Sequence, residues 1–400
     1  MRFSARLPDR THPNAVSLAV EALRAVGTPF VDLTESNPTR VGLPYPATLL
    51  APLATEPALL YEPAPLGLPA AREAVAADAQ RRGARVDPRD VVLTTSTSES
   101  YSWLFRLLCD PGDCVLVPRP SYPLFEYLTR LDVVQAIPYD LEYHGRWIID
   151  FERIENAPPR TRAVLVVSPN NPTGSFVSRA ELARIATLCA TRGWALIADE
   201  VFADYPLDVE QPLTDLAGRT DALTFTLGGA SKSLGLPQVK LGWITLGGPV
   251  DARTDALARL ELIADTFLSV GTPVQVAAPD LLRDAAVIRS AIQARTRANL
   301  ETIRRLALAQ PSCEVLHTEG GWTAVIRVPA FRPEDELVLD LLTDERVLVH
   351  PGYFFDFNQE AYVVVSLLVP EHTFAPAVER TIACASTPPR QNRTRRPQDR

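Results

Sequence analysis

Between Val91 and Leu246 the chain alternates short apolar runs with longer mixed stretches. Val91-Val92-Leu93, Cys114 to Val117, Trp194 to Ala198, Ala222 to Leu227 and Leu241 to Leu246 read as strands. Ala163-Val164-Leu165-Val166-Val167 is apolar without a break, the pattern of a strand buried on both faces. Helices are predicted over Ser98 to Cys109, over Tyr122 to Leu131, and from the capping box Ser178-Arg179-Ala180-Glu181 to near Gly193. This alternation predicts an α/β fold with a mostly parallel sheet and helices on both faces.

Beyond about Pro249 the texture changes. Long helices are predicted from Asp251 to Phe267 and from Asp284 to Gln310. A smaller α+β segment follows, with a strand from Trp322 to Val328, a helix from Pro333 to Leu342, strands near Val347 and Val363, and a last helix around Phe374 to Cys384. The N-terminal helix, Asn14 to Val26, is expected to pack with this segment. The expected organisation is a large α/β domain over residues 45–280 and a small α+β domain from 1–44 and 281–385. The Pro- and Arg-rich stretch 386–400, almost free of apolar residues, is expected to be a disordered basic tail.

With 400 residues, 46% of them apolar, the chain can bury a large core. A formal charge of −8 offers no broad basic face for nucleic acid. No apolar run reaches membrane-spanning length, and the N-terminus lacks the apolar stretch of a signal peptide, so a cytoplasmic protein is expected. The five cysteines are scattered without a CxxC pair; they read as free thiols in a reducing compartment, with no metal site implied.

One compositional bias does change the picture. Of the 40 basic side chains only two are lysine, and both lie in Ser231-Lys232-Ser233-Leu234-Gly235-Leu236-Pro237-Gln238-Val239-Lys240. Arginine stays protonated under biological conditions. A desolvated lysine amine can lose its proton and attack a carbonyl to form a Schiff base. Lysines kept against such a bias point to that chemistry.

Four segments fall at predicted strand ends, where α/β proteins place ligands. Thr95-Ser96-Thr97-Ser98-Glu99 sets small hydroxyl residues at a helix N-terminus, suited to a phosphate but also to ordinary capping. Ser168-Pro169-Asn170-Asn171-Pro172-Thr173-Gly174 follows the Val-rich strand and by itself is a turn. Ala198-Asp199-Glu200-Val201-Phe202 ends an apolar strand on a carboxylate that needs a partner. The lysine segment is entered through Gly228-Gly229-Ala230.

Together with Tyr61-Glu62-Pro63-Ala64-Pro65-Leu66-Gly67 and Arg119-Pro120-Ser121-Tyr122-Pro123, this ordered set resembles the pyridoxal-phosphate-dependent aminotransferases of class I/II, fold type I, from Tyr61 to about Pro370. The resemblance implies the cofactor pyridoxal 5'-phosphate, an amino acid and a 2-oxo acid as substrates, and ping-pong Schiff-base exchange of the amino group. It implies that Lys232 holds the cofactor and shuttles the proton, and that Asp199 pairs with the pyridine nitrogen. Asn171 would donate to the ring's phenolic oxygen and Tyr122 would stack on the ring. Ser96, Thr97, Ser98 and Ser231, with Lys240, would hold the phosphate. Tyr61 matches the tyrosine that reaches the phosphate of the neighbouring subunit, which requires a homodimer with shared active sites.

The departures are as specific. Lys240 stands where relatives carry arginine, Phe202 where they carry tyrosine, and Gly229 where serine is common. The arginine that grips the substrate α-carboxylate in relatives falls on Val364, and Tyr362 to Ser366 contains none. Arg40, in Glu35-Ser36-Asn37-Pro38-Thr39-Arg40, is the candidate replacement, with Arg327 its rival. The missing arginine keeps open another enzyme on the same scaffold, such as a C–S β-lyase or a decarboxylase. A cofactor-binding regulator is disfavoured, because the residues before Tyr61 show no recognition-helix pattern.

Overall fold

The computed structural model describes residues 3–8, 13–209, 212–213, 215–219 and 221–389, so most of the expected tail lies outside the described residues. Among the described residues, nine strands occur in the first two thirds of the chain. They are β1 (Val31–Asp32), β2 (Val91–Thr94), β3 (Cys114–Arg119), β4 (Gln135–Tyr143) and β5 (Trp147–Ile149), then β6 (Thr161–Val167), β7 (Ala195–Asp199), β8 (Thr224–Gly229) and β9 (Gly242–Gly247). Eight of them form one sheet in the order β2-β9-β8-β7-β6-β3-β4-β5. The contiguous pairs from β8 to β4 are parallel, whereas β9 runs antiparallel to both neighbours and β5 antiparallel to β4.

The helices of this part of the chain are α1 (Ala15–Ala25), α2 (Pro69–Arg81), α3 (Thr97–Leu108), α4 (Leu124–Leu131), α5 (Glu152–Glu155), α6 (Arg179–Arg192), α7 (Ala230–Ser233), α8 (Val250–Phe267) and α9 (Thr272–Asp284). The two-residue period of a strand sorts the β6 side chains between two helical layers. Ala163, Leu165 and Val167 pack with Trp103 and Phe105 of α3 and Leu260 of α8. Val164 and Val166 pack with Leu182, Ile185 and Cys189 of α6 on the other face. This two-sided burial is why β6 reads as an unbroken apolar run.

The remaining helices are α10 (Ala286–Leu308), α11 (Glu334–Thr343) and α12 (Glu371–Ala385). The remaining strands are β10 (Glu314–Val315), β11 (Thr323–Arg327), β12 (Val347–Leu348), β13 (His350–Pro351) and β14 (Tyr362–Ser366). A second sheet has the order β10-β11-β14-β13. Its Ala324, Ile326, Val363 and Val365 pack on α10, α11 and α12. Its Val325 and Val364 face the other way, into the core beneath the large sheet.

Both ends of the chain meet here. β1 pairs in parallel with β12, matching Val31 to Val347 and Asp32 to Leu348. Leu33 accepts the N–H of Ser366 at 2.6 Å. The Ser366 hydroxyl donates to the carbonyl of Glu35 at 2.7 Å. The N-terminal helix packs on α11, within the segment it is expected to join.

The sequence reading missed α2 and α9. In α9 prolines stand at the start and inside, at Pro279, and disguise a helix whose Gln275, Ala277, Ala278, Leu281 and Leu282 are buried. Position 280, the expected edge of the large domain, lies inside it. The strand expected over Ala222 to Leu227 is displaced two residues forward and takes in Gly228 and Gly229. Its ladder with β9 continues to Gly229, opposite Gly242, and the indole of Trp243 lies against Gly228: a Cβ there would meet Nε1 at 2.2 Å and Cε2 at 2.6 Å.

That contact predicts a cost for the smallest side chain. Gly228→Ala should destabilise the protein by about 1–3 kcal/mol through overpacking, read as a lower urea midpoint with an unchanged slope. Trp243→Phe in the same background should recover part of the loss. An unperturbed midpoint for Gly228→Ala would show that the indole moves aside freely.

Candidate active site

Sheet register brings the motifs together. Thr94 at the end of β2 pairs with Gly242 at the start of β9, and Gly242 pairs with Gly229 at the end of β8. Three chain segments therefore meet at one corner: Thr95 to Ser98, Ala230 to Ser231, and the turn carrying Lys240. The carbonyl of Leu241 accepts the N–H of Ala230 at 2.8 Å and ties two of them. A Cβ on Gly242 would lie 2.8 Å from Thr94 Oγ1 and 2.9 Å from the carbonyl carbon of Ser96, so the close approach needs glycine.

α3 opens at this corner. Ser96 is its N-cap, its hydroxyl accepting from the N–H of Glu99 at 3.2 Å. Thr97 and Ser98 occupy the first turn, where backbone N–H groups have no helical acceptor. Glu99 is held back from them, accepting from the N–H and hydroxyl of Thr95 at 2.7 and 2.9 Å. Lys240 closes the corner with left-handed backbone, φ 58°, and an exposed side chain. The expected anion-holding set of Ser96, Thr97, Ser98, Ser231 and Lys240 is thus drawn from three separate stretches onto one edge of the sheet.

Asp199 ends β7 two strands away, buried. Its Oδ2 accepts from the Tyr101 hydroxyl at 2.6 Å and its Oδ1 from the N–H of Val201 at 3.0 Å. Burial pushes its pKa up, and the Tyr101 and Val201 hydrogen bonds and the Lys232 charge oppose that. Lys232 lies on α7, its Nζ 5.2 Å from the ring centroid of Trp322 and 5.7 Å from that of Phe202. Enclosure by these rings pushes the amine's pKa down, with Asp199 acting against the shift. Both groups are therefore driven toward their neutral forms, and each resists through the charge of the other. The Tyr205 hydroxyl donates to the carbonyl of Lys232 at 2.7 Å and fixes the turn that carries it.

The two asparagines after β6 differ. Asn170 is fully engaged: its Oδ1 accepts from the Ser121 hydroxyl at 3.0 Å, and its Nδ2 donates to Pro120 O and Thr173 Oγ1. Asn171 Oδ1 is buried and finds no partner.

The other expected residues lie farther out. Tyr122 is half exposed on the wall of an open cleft of about 690 Å³ that also involves Arg119, Glu126 and Asp356. Tyr61 is 70% exposed beside a cavity of about 120 Å³ lined by Trp103, Ser269, Thr272 and Gln275. Arg40 is exposed at the end of a short 3-10 turn, Pro38–Arg40, capped by Asn37. Arg327 points outward and pairs with Glu314 on the neighbouring strand. Val364 is fully buried, directly opposite Val325. It lies on the same face as Thr323, whose hydroxyl donates to the carbonyl of Pro172 at 2.9 Å.

Three residues of the site were not found from the sequence: Tyr101, Tyr205 and Trp322. Tyr101 had a signal, since it follows Ser98 by one helical turn and so shares its face. Trp322 and Tyr205 reach Lys232 only through tertiary packing, touching one another with ring centroids 5.1 Å apart.

The profile of the family Aminotransferase class I and II matches residues 49–380. The glutamate-pyruvate aminotransferase AlaA of Escherichia coli K12 is 28% identical over 299 residues, covering 73% of this chain and 74% of that protein. The valine–pyruvate aminotransferase of Mycobacterium tuberculosis H37Rv is 28% identical over 366 residues, covering 90% of this chain and 92% of that protein. Among solved structures, the alanine aminotransferase of Pyrococcus furiosus superposes with a TM-score of 0.86 at 23% identity, covering 96% of this chain and 99% of that one. These relatives decide between exchange and the lyase or decarboxylase readings in favour of exchange. The chain has the fold type I architecture, belongs to the class I and II aminotransferases and is a transaminase.

Proposed function

We propose that this transaminase uses pyridoxal 5'-phosphate to exchange the amino group of an amino acid with a 2-oxo acid in alternating half-reactions, as a cytoplasmic homodimer. The observation that carries this reading is a lysine amine set against two aromatic rings and acting by charge on a buried carboxylate at the end of a parallel strand. The named relatives use pyruvate, which makes it the first 2-oxo acid to test.

The residues present fit the cofactor. A buried carboxylate such as Asp199 calls for a cationic partner, which a protonated pyridine nitrogen supplies. The corner from Ser96 to Ser98, with Ser231 and Lys240, suits a phosphate. Asn171, whose Oδ1 is buried without a protein partner, would donate to the ring's phenolic oxygen through its Nδ2. When bound, pyridoxal phosphate supplies the electron sink for chemistry at the α-carbon. Lys232 would attach the cofactor and would move the proton at that carbon. Its lowered pKa favours the neutral amine that both tasks need.

An exposed apolar patch supports the dimer. Leu59, Leu60 and Tyr61 stand out from the surface, and Tyr61 shares its cavity with Trp103, which stacks on the exposed Phe267. Tyr61 would cross this interface, and Tyr122 would cover the cofactor ring. Five free cysteines support a reducing compartment. No described helix is long and apolar enough to cross a membrane.

Borohydride reduction of cofactor-loaded protein should label one peptide, the one containing Lys232. Lys232→Arg keeps the charge but should lose covalent cofactor and nearly all turnover; a label on Lys240 would overturn the assignment. For the interface, Tyr61→Phe should weaken cofactor retention with a modest rate effect, and sedimentation of a fully active monomer would refute the shared site. Arg40 is the substrate-carboxylate candidate that remains, since Arg327 is engaged by Glu314. Arg40→Ala should raise KM for every amino acid about tenfold or more with an unchanged resting spectrum, and Arg327→Ala should do little. The opposite pattern would move the carboxylate site.

A further inference from the structure

One buried side chain, Tyr101, donates a hydrogen bond to Asp199. α3 leaves the corner at Thr97 and carries Tyr101 inward, 3% exposed, with its ring stacked on Phe105 at 6.1 Å and edge-on to Phe125 at 5.4 Å. Held by those rings, its hydroxyl donates to Asp199 Oδ2 at 2.6 Å, at the short end of hydroxyl–carboxylate bonds. Burial and the facing carboxylate push the phenol's own pKa well above its ordinary value, so the proton stays on tyrosine and the bond is always donated.

The surroundings leave little else to do this work. The strands flanking β7 present Val167 and Leu227 beside Asp199, and neither titrates. Val201 contributes one backbone donor, on the other oxygen. Lys232 is the charged group that acts on Asp199 from across the site. An apolar side chain at 101 would leave a carboxylate out of water with one donor and a lysine that is itself driven toward neutrality.

We propose that Tyr101 is the positioning residue for Asp199: its hydroxyl fixes the carboxylate's orientation and holds it anionic, ready for a protonated pyridine nitrogen. The inference rests on the cofactor reading above for its purpose, but the Tyr101–Asp199 bond belongs to the chain alone. It links two parts of the site through α3: the phosphate corner at the helix's N-terminus and, by way of Tyr101, the carboxylate at the end of β7.

Tyr101→Phe removes only the hydroxyl. On the apoprotein it should raise the folded-state pKa of Asp199 further. A carboxyl whose folded pKa is raised is least costly when protonated, so the variant should fall increasingly below the parent in Tm as pH rises above the ordinary carboxylate range, and approach it toward low pH. In an Asp199→Asn background the same change should give a gap that does not vary with pH. With pyridoxal phosphate, Tyr101→Phe should weaken cofactor binding about tenfold or more and shift the pH midpoint of the visible band. Combined with Asp199→Asn it should add almost nothing. A pH-independent gap in the apoprotein, or additive effects on cofactor binding, would overturn the proposal. If the parent itself takes up no pyridoxal phosphate, the cofactor reading falls, and the apoprotein titration still decides whether Tyr101 governs Asp199.

Discussion

Two opposite charges taken out of water at one end of a sheet are the constraint around which this molecule is arranged. A carboxylate at the end of β7 and an amine on α7 each prefer neutrality once enclosed, and the enclosure is deliberate: Phe202 and Trp322 on the amine, Phe105 and Phe125 behind the tyrosine that serves the acid. Such a pair is weak support for stability, since desolvating two ions offsets most of their attraction. It is better understood as reactivity stored in the fold. The parallel strands make it affordable, because their shared polarity delivers every loop of the site to the same edge.

The extent to which this was legible in the sequence follows from what each residue depends on. Lys232, Asp199 and Asn171 could be picked out because each stands at a strand end within a distinctive local string. The central strands were legible for a similar reason, since two-sided burial writes itself as an unbroken apolar run. Tyr205 and Trp322 were not, because they are more than a hundred residues apart and meet only when the two sheets pack. The helices α2 and α9 were hidden by composition: one is rich in alanine and weakly patterned, the other interrupted by proline.

The strand that lacks the expected arginine is informative in its register. Val364 is flanked by Val325 on one side and His350 on the other, and directly opposed residues of an antiparallel pair share a face. That face looks onto the loop carrying Asn171, as the bond from Thr323 to Pro172 requires. A guanidinium at 364 would therefore have stood over the loop; valine instead joins the apolar core beneath the large sheet. Burial against the cluster of Leu116, Val166 and Phe355 replaces charge with packing at that point. Recognition of an anionic substrate end has to come from elsewhere, and Arg40 follows the segment whose Leu33 and Glu35 accept from Ser366 of this strand.

The tie itself reaches beyond the site. Val31 pairs with Val347, and Leu33 and Glu35 accept hydrogen bonds from Ser366. These contacts join residues more than three hundred positions apart, so their formation has to close nearly the whole polypeptide. During synthesis the large sheet, complete by Gly247, can form while the N-terminal segment still has nothing to dock against. α1 and β1 must wait, with their apolar faces uncovered, until the last strands have been made. A segment made before the large sheet is thus among the last to fold.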